Sequence, residues 1–244
     1  MNEHQRKTGK SLNDEDNCRI SVIIPVLHES AVINETVQHV FSIDGSEDCE
    51  VIVADGSDNA DTLGVIKDGR ITKMQSSPGR AIQMNAGANA ACGNVLVFLH
   101  ADTFLPKNAF TVIKNAISKQ QYAVGAFKLG LDSDKLTMKI ITALANLRNR
   151  ILRIPYGDQA IFIRRELFEE LGGFPAIPLM EDIELMKRLK RKGCKVFFSK
   201  AKVTSSARRW QKEGPWRCSA RNLIISAMYH LGVPAERLVR FYRS

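Results

Sequence analysis

Three short apolar runs rich in β-branched residues constrain this chain more than any other feature: Ile-Ser-Val-Ile-Ile-Pro-Val at 20–26, Glu-Val-Ile-Val-Ala at 50–54 and Val-Leu-Val-Phe-Leu at 95–99. Runs of this length and composition form strands buried on both faces of a sheet. Helical stretches at about 30–42 and 79–91 separate them. Strand, helix, strand, helix, strand in this order predicts parallel pairing through crossover helices, hence an α/β fold built on a doubly wound, mostly parallel sheet. Such sheets bind ligands at the carboxyl ends of their strands.

Beyond the third run the pattern predicts a helix at about 106–119, a strand at 122–129 and a long amphipathic helix at about 134–152. That helix carries Leu136, Ile140, Leu144, Leu147 and Ile151 as one stripe, with Lys135, Lys139, Arg148, Arg150 and Arg153 around it. A strand at about 159–163, helices at 165–171 and 180–192 and a strand at 195–199 complete the expected core. From Trp216 the chain reads as a basic helical part.

The net charge of +9 is unevenly spread. Residues 1–134 hold 12 Lys and Arg against 17 Asp and Glu, whereas residues 135–244 hold 23 against 9. The second half is therefore suited to an anion, and on charge alone nucleic acid, a phosphorylated acceptor, a nucleotide diphosphate or an anionic membrane surface would supply one. No nucleic-acid partner is expected. The charge break suggests a single domain at 19–244, with a nucleotide-binding half at 19–133 and an acceptor half at 134–244, after a flexible lead-in at 1–18. No apolar run approaches the roughly 18 residues of a membrane span. The lead-in lacks the apolar segment of a secretory signal. Five scattered cysteines form no Cys-x-x-Cys pair. These features lead to the expectation of a cytoplasmic protein, in peripheral contact with the inner membrane face if the basic half meets lipid.

No Gly-x-Gly-x-x-Gly follows the first strand and no Gly-x-x-x-x-Gly-Lys loop is present, so dinucleotide-dehydrogenase and P-loop readings lose their support. The first strand instead leads into Pro25-Val26-Leu27-His28-Glu29, the second into Asp55-Gly56-Ser57-Asp58, and the third into His100-Ala101-Asp102-Thr103. Carboxylates can hold a base and ribose. A diphosphate beside them requires a hard divalent cation with oxygen ligands, which implies manganese or magnesium.

These strand ends resemble the family 2 glycosyltransferases of the GT-A fold, whose strands end in Pro-x-x-Asn-Glu, Asp-Gly-Ser-x-Asp and Asp-x-Asp. Four phrases narrow the resemblance: Gly79-Arg80 with Gln83-Met84-Asn85-Ala86-Gly87, Phe98 to Thr103, Ile154-Pro155-Tyr156-Gly157-Asp158-Gln159, and Pro178 to Leu185. Together they are similar to a bacterial subgroup associated with radical-SAM or selenium-linked gene neighbourhoods. The resemblance runs from about residue 20 to 243.

It implies a hexosyltransferase that uses a UDP- or GDP-sugar and an acceptor the sequence does not disclose. Pro25, Glu29, Asp55, Arg80, His100, Arg208 and Arg209 would bind the donor. Asp102, with His100, would hold the metal. Asp182, beside Glu181, would take the acceptor's proton in an inverting single displacement, and Tyr156 and Asp158 would face the acceptor. His100 stands where the family has a carboxylate, and His28 where it has Asn. Arg208-Arg209-Trp210 lacks the Gln of the family's Gln-x-x-Arg-Trp, which disfavours a processive synthase.

Plainer readings stand beside these. Asp55-Gly56 suits a turn, Glu181 and Asp182 suit the first turn of any helix, Arg80 can simply open one, and His100 can make a structural hydrogen bond. Core packing accounts for the apolar face Leu223, Ile224, Ala227, Met228 and Leu231 as well as lipid does. A sugar nucleotidyltransferase would need glycine between Pro25 and Ser30, where there is none. A scaffold that binds a nucleotide sugar, or sits at the membrane surface, without turnover is the alternative function.

Overall fold

The computed structural model describes residues 18–243. The expected lead-in lies outside the described residues except for Cys18, which is buried in the core. In chain order the elements are β1 (Ile20–Val26), α1 (Ile33–Phe41), β2 (Glu50–Asp55), α2 (Asp61–Val65), β3 (Thr72–Gln75) and α3 (Arg80–Ala90). Then follow β4 (Val95–Phe98), β5 (Thr103–Phe104), α4 (Ala109–Lys114), β6 (Val124–Leu131), α5 (Leu136–Leu152) and β7 (Phe162–Arg164). The chain continues through α6 (Arg165–Glu170), α7 (Glu181–Arg191), β8 (Val196–Ser205), α8 (Arg208–Glu213), α9 (Pro215–His230) and α10 (Ala235–Arg243).

The strands form one eight-stranded sheet in the order β3-β2-β1-β4-β7-β6-β8-β5. β1 pairs in parallel with β2 and β4, as the apolar runs predict, and β2 pairs in parallel with β3. Alternation along β1 explains the layering. Ile20, Val22, Ile24 and Val26 enter one core with residues of α1 and α4. Ile23 enters the other, with residues of α3, α6, α7 and α9. A strand buried on both faces has no polar side to spare. Gly87 lets α3 approach closely, because a Cβ there would stand 2.5 Å from Cγ2 of Ile23.

β7 runs antiparallel to both β4 and β6. The cause is where the chain enters it. α5 and the short 3-10 turn Gly157–Gln159 return the backbone to the carboxyl end of β4, where Phe162 registers with Val97, so the next strand can only run backwards. β8 returns in parallel beside β6 and extends to Ser205, where it pairs with the two-residue β5. This carries α8 to the same end of the sheet. No helix among the described residues is long and apolar enough to cross a membrane.

Candidate active site

The carboxyl ends of β1 and β4, the start of α3, the turn at 156–158, the start of α7 and the start of α8 enclose a cavity of about 840 Å³. Pro25, Glu29, Arg80, His100, Asp102, Tyr156, Asp158, Asp182, Arg208 and Arg209 all line it. A recess of about 420 Å³ adjoins it, lined by His28, Gly56, Ser57, Asp58 and Asn59 and sharing Leu27 and Pro78 with the larger cavity.

Two of the residues singled out from sequence are not among those that line the cavity. Asp55 is fully buried, and all its acceptor capacity is turned into the fold. Oδ1 accepts from Ser57 N (2.8 Å) and Ser57 Oγ (2.7 Å), and Oδ2 from Thr62 N (3.2 Å) and Leu63 N (3.3 Å). The carboxylate thus ties the end of β2 to the first turn of α2 and shapes the adjoining recess. Glu181 is likewise buried, in an ion pair with Arg80. On the recess side, His28 holds a left-handed φ of 58° and its Nδ1 lies 2.7 Å from Oδ2 of Asp61. That hydrogen bond, with the Asp61 charge, lifts the His28 pKa above its ordinary value.

On the opposite wall Nη2 of Arg208 meets both Glu29 oxygens, at 2.9 and 2.8 Å, and stands 3.2 Å from Oδ2 of Asp102. The pairing follows from the sheet: Ser206 N donates to the Asp102 carbonyl and Thr103 registers with Ser205, which sets the start of α8 beside β4. Arg209 stacks over Tyr242 with its guanidinium carbon 4.0 Å from the ring centroid.

At the far end, Nη1 of Arg80 approaches Nε2 of His100 to 3.4 Å. Burial, then the Arg80 charge, pushes the His100 pKa down to about 3, so the imidazole is neutral and accepts from the guanidinium. Asp182 accepts from Gly157 N at 2.6 Å and Ile183 N at 2.8 Å. Burial, then the Glu181 charge, raises its pKa, against Arg80 and those two N–H groups. Asp158 is pushed up to about 6 by burial and then by Asp182. Met180, just before the pair, has φ of 68°, a conformation uncommon for a non-glycine residue and concentrated at functional sites.

Among the described residues no group of three or more His, Cys, Asp or Glu side chains gathers to hold a metal ion. The donor set still suits a hard cation that shares its ligands with a substrate. Asp102 offers a carboxylate toward the cavity, and its surroundings already attract the positive charge of Arg208.

The cavity also draws in residues given no role by sequence reasoning. Gln83 donates to the Val26 and Ala54 carbonyls at 2.6 and 2.9 Å, clamping the ends of β1 and β2. Trp210, Asn222, Ile225 and Tyr242 come from α8, α9 and α10. Gln83 sits within the Gly79–Gly87 stretch, but nothing in its spacing indicates that it faces two strand ends. The C-terminal residues reach the cavity only through helix packing.

The model of Glycosyl transferase family 2 matches residues 21–174, more than half of the chain. The sequence matches no curated protein. Two solved structures are similar in fold. The mannosyltransferase PcManGT from Pyrobaculum calidifontis, in complex with GDP-Man and Mn2+, superposes with a TM-score of 0.66 at 19% identity, over 89% of this chain and 65% of that one. Residues 1–349 of S. aureus TarS, in complex with UDP-GlcNAc, give 0.59 at 17% identity, over 77% of this chain and 58% of that one. The chain therefore spans less than two thirds of either structure, and at these identities the likeness is one of fold. On the strength of the family match, the chain belongs to glycosyl transferase family 2.

Proposed function

We propose that the protein transfers a hexosyl group from a UDP- or GDP-sugar to an acceptor, in an inverting single displacement at the 840 Å³ cavity. The observation that carries the reading is the meeting of Asp102, Asp182 and Arg208 around one space, although Asp102 and Arg208 lie 106 residues apart in the sequence. In this reading the base occupies the adjoining recess, whose Ser57 is held by Asp55, and the ribose meets Glu29 on the cavity wall; that the two spaces lie side by side supports it. Residues 19–133 form the nucleotide half and 134–244 the acceptor half. The neighbours' complexes with UDP-GlcNAc and with GDP-Man and Mn2+ support a nucleotide-sugar donor and a divalent cation.

Asp102 would hold manganese or magnesium, which when bound supplies charge neutralisation for the diphosphate. Asp182, fixed by the N–H groups of Gly157 and Ile183, accepts the acceptor's hydroxyl proton as that oxygen bonds to the anomeric carbon. The bond from the anomeric carbon to the diphosphate breaks in the same step, and Arg208 and Arg209 stabilise the charge that develops on the leaving group. Tyr156 and Asp158 border the acceptor's side. The four matching phrases support placement in the radical-SAM or selenium-associated subgroup.

Calorimetric titration with UDP, GDP and their sugars, with and without manganese, tests the reading. Metal-dependent binding of one nucleotide, lost in Asp102→Ala, is expected. Absence of nucleotide binding under any metal would overturn it, and binding without transfer would leave the scaffold alternative.

A further inference from the structure

We propose that α5 and α9 dock the protein on an anionic lipid bilayer. Leu136, Ile140, Ala143, Leu144, Leu147 and Ile151 on α5 are all exposed, Leu136 by 72% and Ile151 by 69%. The residues α5 buries are Met138, Ile141 and Asn149. α9 repeats the pattern: Trp216, Ala220, Leu223, Ile224 and Ala227 are exposed, with Leu231 just beyond its end at 85%. Both rows have the offsets i, i+4, i+7, i+8, i+11 and i+15, which follow one face of a helix. The two helices are neighbours. Apart from these rows, Leu152 and Phe241, the exposed large apolar side chains among the described residues are Leu27, Val65 and Ile82. Core packing, the plainer account of the row on α9, therefore does not apply to Leu223, Ile224, Ala227 and Leu231.

The occupant of such a face must be apolar and anionic at once. α5 and α9 contain no Asp or Glu, and Lys135, Lys139, Arg150, Arg153 and Arg217 are exposed on or beside them, against Asp132 and Asp134 ahead of α5, where Lys139 lies 3.6 Å from Asp134. Arg237 and Arg240 add to the charge from α10, which packs against α9. A second copy of the chain would set like charges against each other. Residues 1–17 include only Met1 and Leu12 as large apolar side chains, too few to cover two helices. A bilayer containing anionic lipids supplies both needs, acyl chains for the apolar rows and phosphates for the cations. α9 also lines the cavity through Asn222 and Ile225, so docking sets the cavity beside the headgroup layer. The inference rests on this surface and is independent of the donor chemistry.

Sedimentation of the full chain with vesicles of phosphatidylcholine alone, or with about one-third phosphatidylglycerol, tests it. Partitioning onto the anionic vesicles is expected to be roughly tenfold tighter and to weaken with salt. Leu144→Glu and Leu223→Glu, at exposed positions, should each reduce it roughly tenfold while leaving the melting temperature unchanged. Charge reversal by Lys139→Glu with Arg150→Glu, which keeps the apolar rows, should remove the preference for anionic lipid. Equal partitioning to both vesicles would overturn the proposal. So would full binding by both Leu→Glu variants, or a dimer in sedimentation equilibrium that those variants dissociate.

Discussion

Nη2 of Arg208 stands 3.2 Å from Oδ2 of Asp102, so the carboxylate proposed to hold a divalent cation already faces a guanidinium. The same nitrogen spans both oxygens of Glu29. A cation entering beside Asp102 therefore competes with Arg208, while a diphosphate would be attracted by both. Arg208→Ala is expected to tighten manganese binding by the nucleotide-free protein and to lower kcat by about 100- to 1,000-fold, as the leaving group loses a charged donor. Manganese titration followed by electron paramagnetic resonance, with steady-state kinetics, measures the two effects. Weaker metal binding in the variant would show that Arg208 supports the metal rather than competing with it.

Arg80 and Glu181 form the ion pair that fixes the start of α7 against α3. The Glu181 side chain is 2% exposed and that of Arg80 37%, so one partner is desolvated and the other partly screened. Glu181→Gln removes a buried charge but leaves Arg80 facing His100 without its main counter-charge. The cost of breaking a fully buried pair is about 3–5 kcal/mol. Solvent at Arg80 reduces this to roughly 2–3 kcal/mol. Urea denaturation should show that loss in the single variant and partial recovery in Arg80→Met with Glu181→Leu. No recovery would mean that the pair acts through the shape of the wall, not through charge.

How far the sequence could be read follows from where the information lies. β1, β2 and β4 are legible because strands buried on both faces must be continuously apolar, and Asp102 and Asp182, which both line the cavity, stand within ordered phrases of the sequence. β3 is not legible, since Thr72, Lys73 and Gln75 are exposed on an edge strand and carry no pattern. The reversal of β7 is not, because strand direction depends on where α5 returns the chain. The stripe on α5 is legible as a stripe. Its outward direction is not, because periodicity identifies a face without saying what it meets. Asp55 stands out in the sequence as the polar end of β2, but burial turns its carboxylate inward, to four donors.

Gly157 is held between two site residues. A Cβ there would stand 3.1 Å from Nε2 of His100 and 3.3 Å from Oδ2 of Asp182, so neither neighbour could keep its place. Gly157→Ala is therefore expected to lower kcat by roughly 10- to 100-fold through displacement of Asp182, since small misplacements cost that much. Donor affinity and melting temperature should change little, because the recess proposed for the base lies elsewhere and the turn is part of the cavity wall. Calorimetry with the preferred nucleotide, beside kinetics, separates the two. An equal loss of donor binding would place Gly157 in the donor site instead.

Asp158 and Asp182 titrate as neighbours, and their pH dependence tests the proposed base. Burial and then Asp182 push Asp158 up to about 6, and burial and then Glu181 raise Asp182. The kcat/KM profile should rise through an apparent pKa that belongs to the pair, above the ordinary carboxylate range. Asp158→Asn should shift this limb to lower pH, because it removes a negative charge that opposes ionisation of Asp182. Stability gives an independent reading. The folded pKa of Asp158 lies above its ordinary 3.8, so its contribution is present below that value and is lost as the pH rises through about 6. Asp158→Asn should then raise the melting temperature at about pH 8, where the folded chain holds an unfavourable charge, and change it little at about pH 4. Equal shifts at the two pH values would mean that the residue acts through packing rather than charge, and an unmoved acid limb would remove Asp158 from the environment of the base.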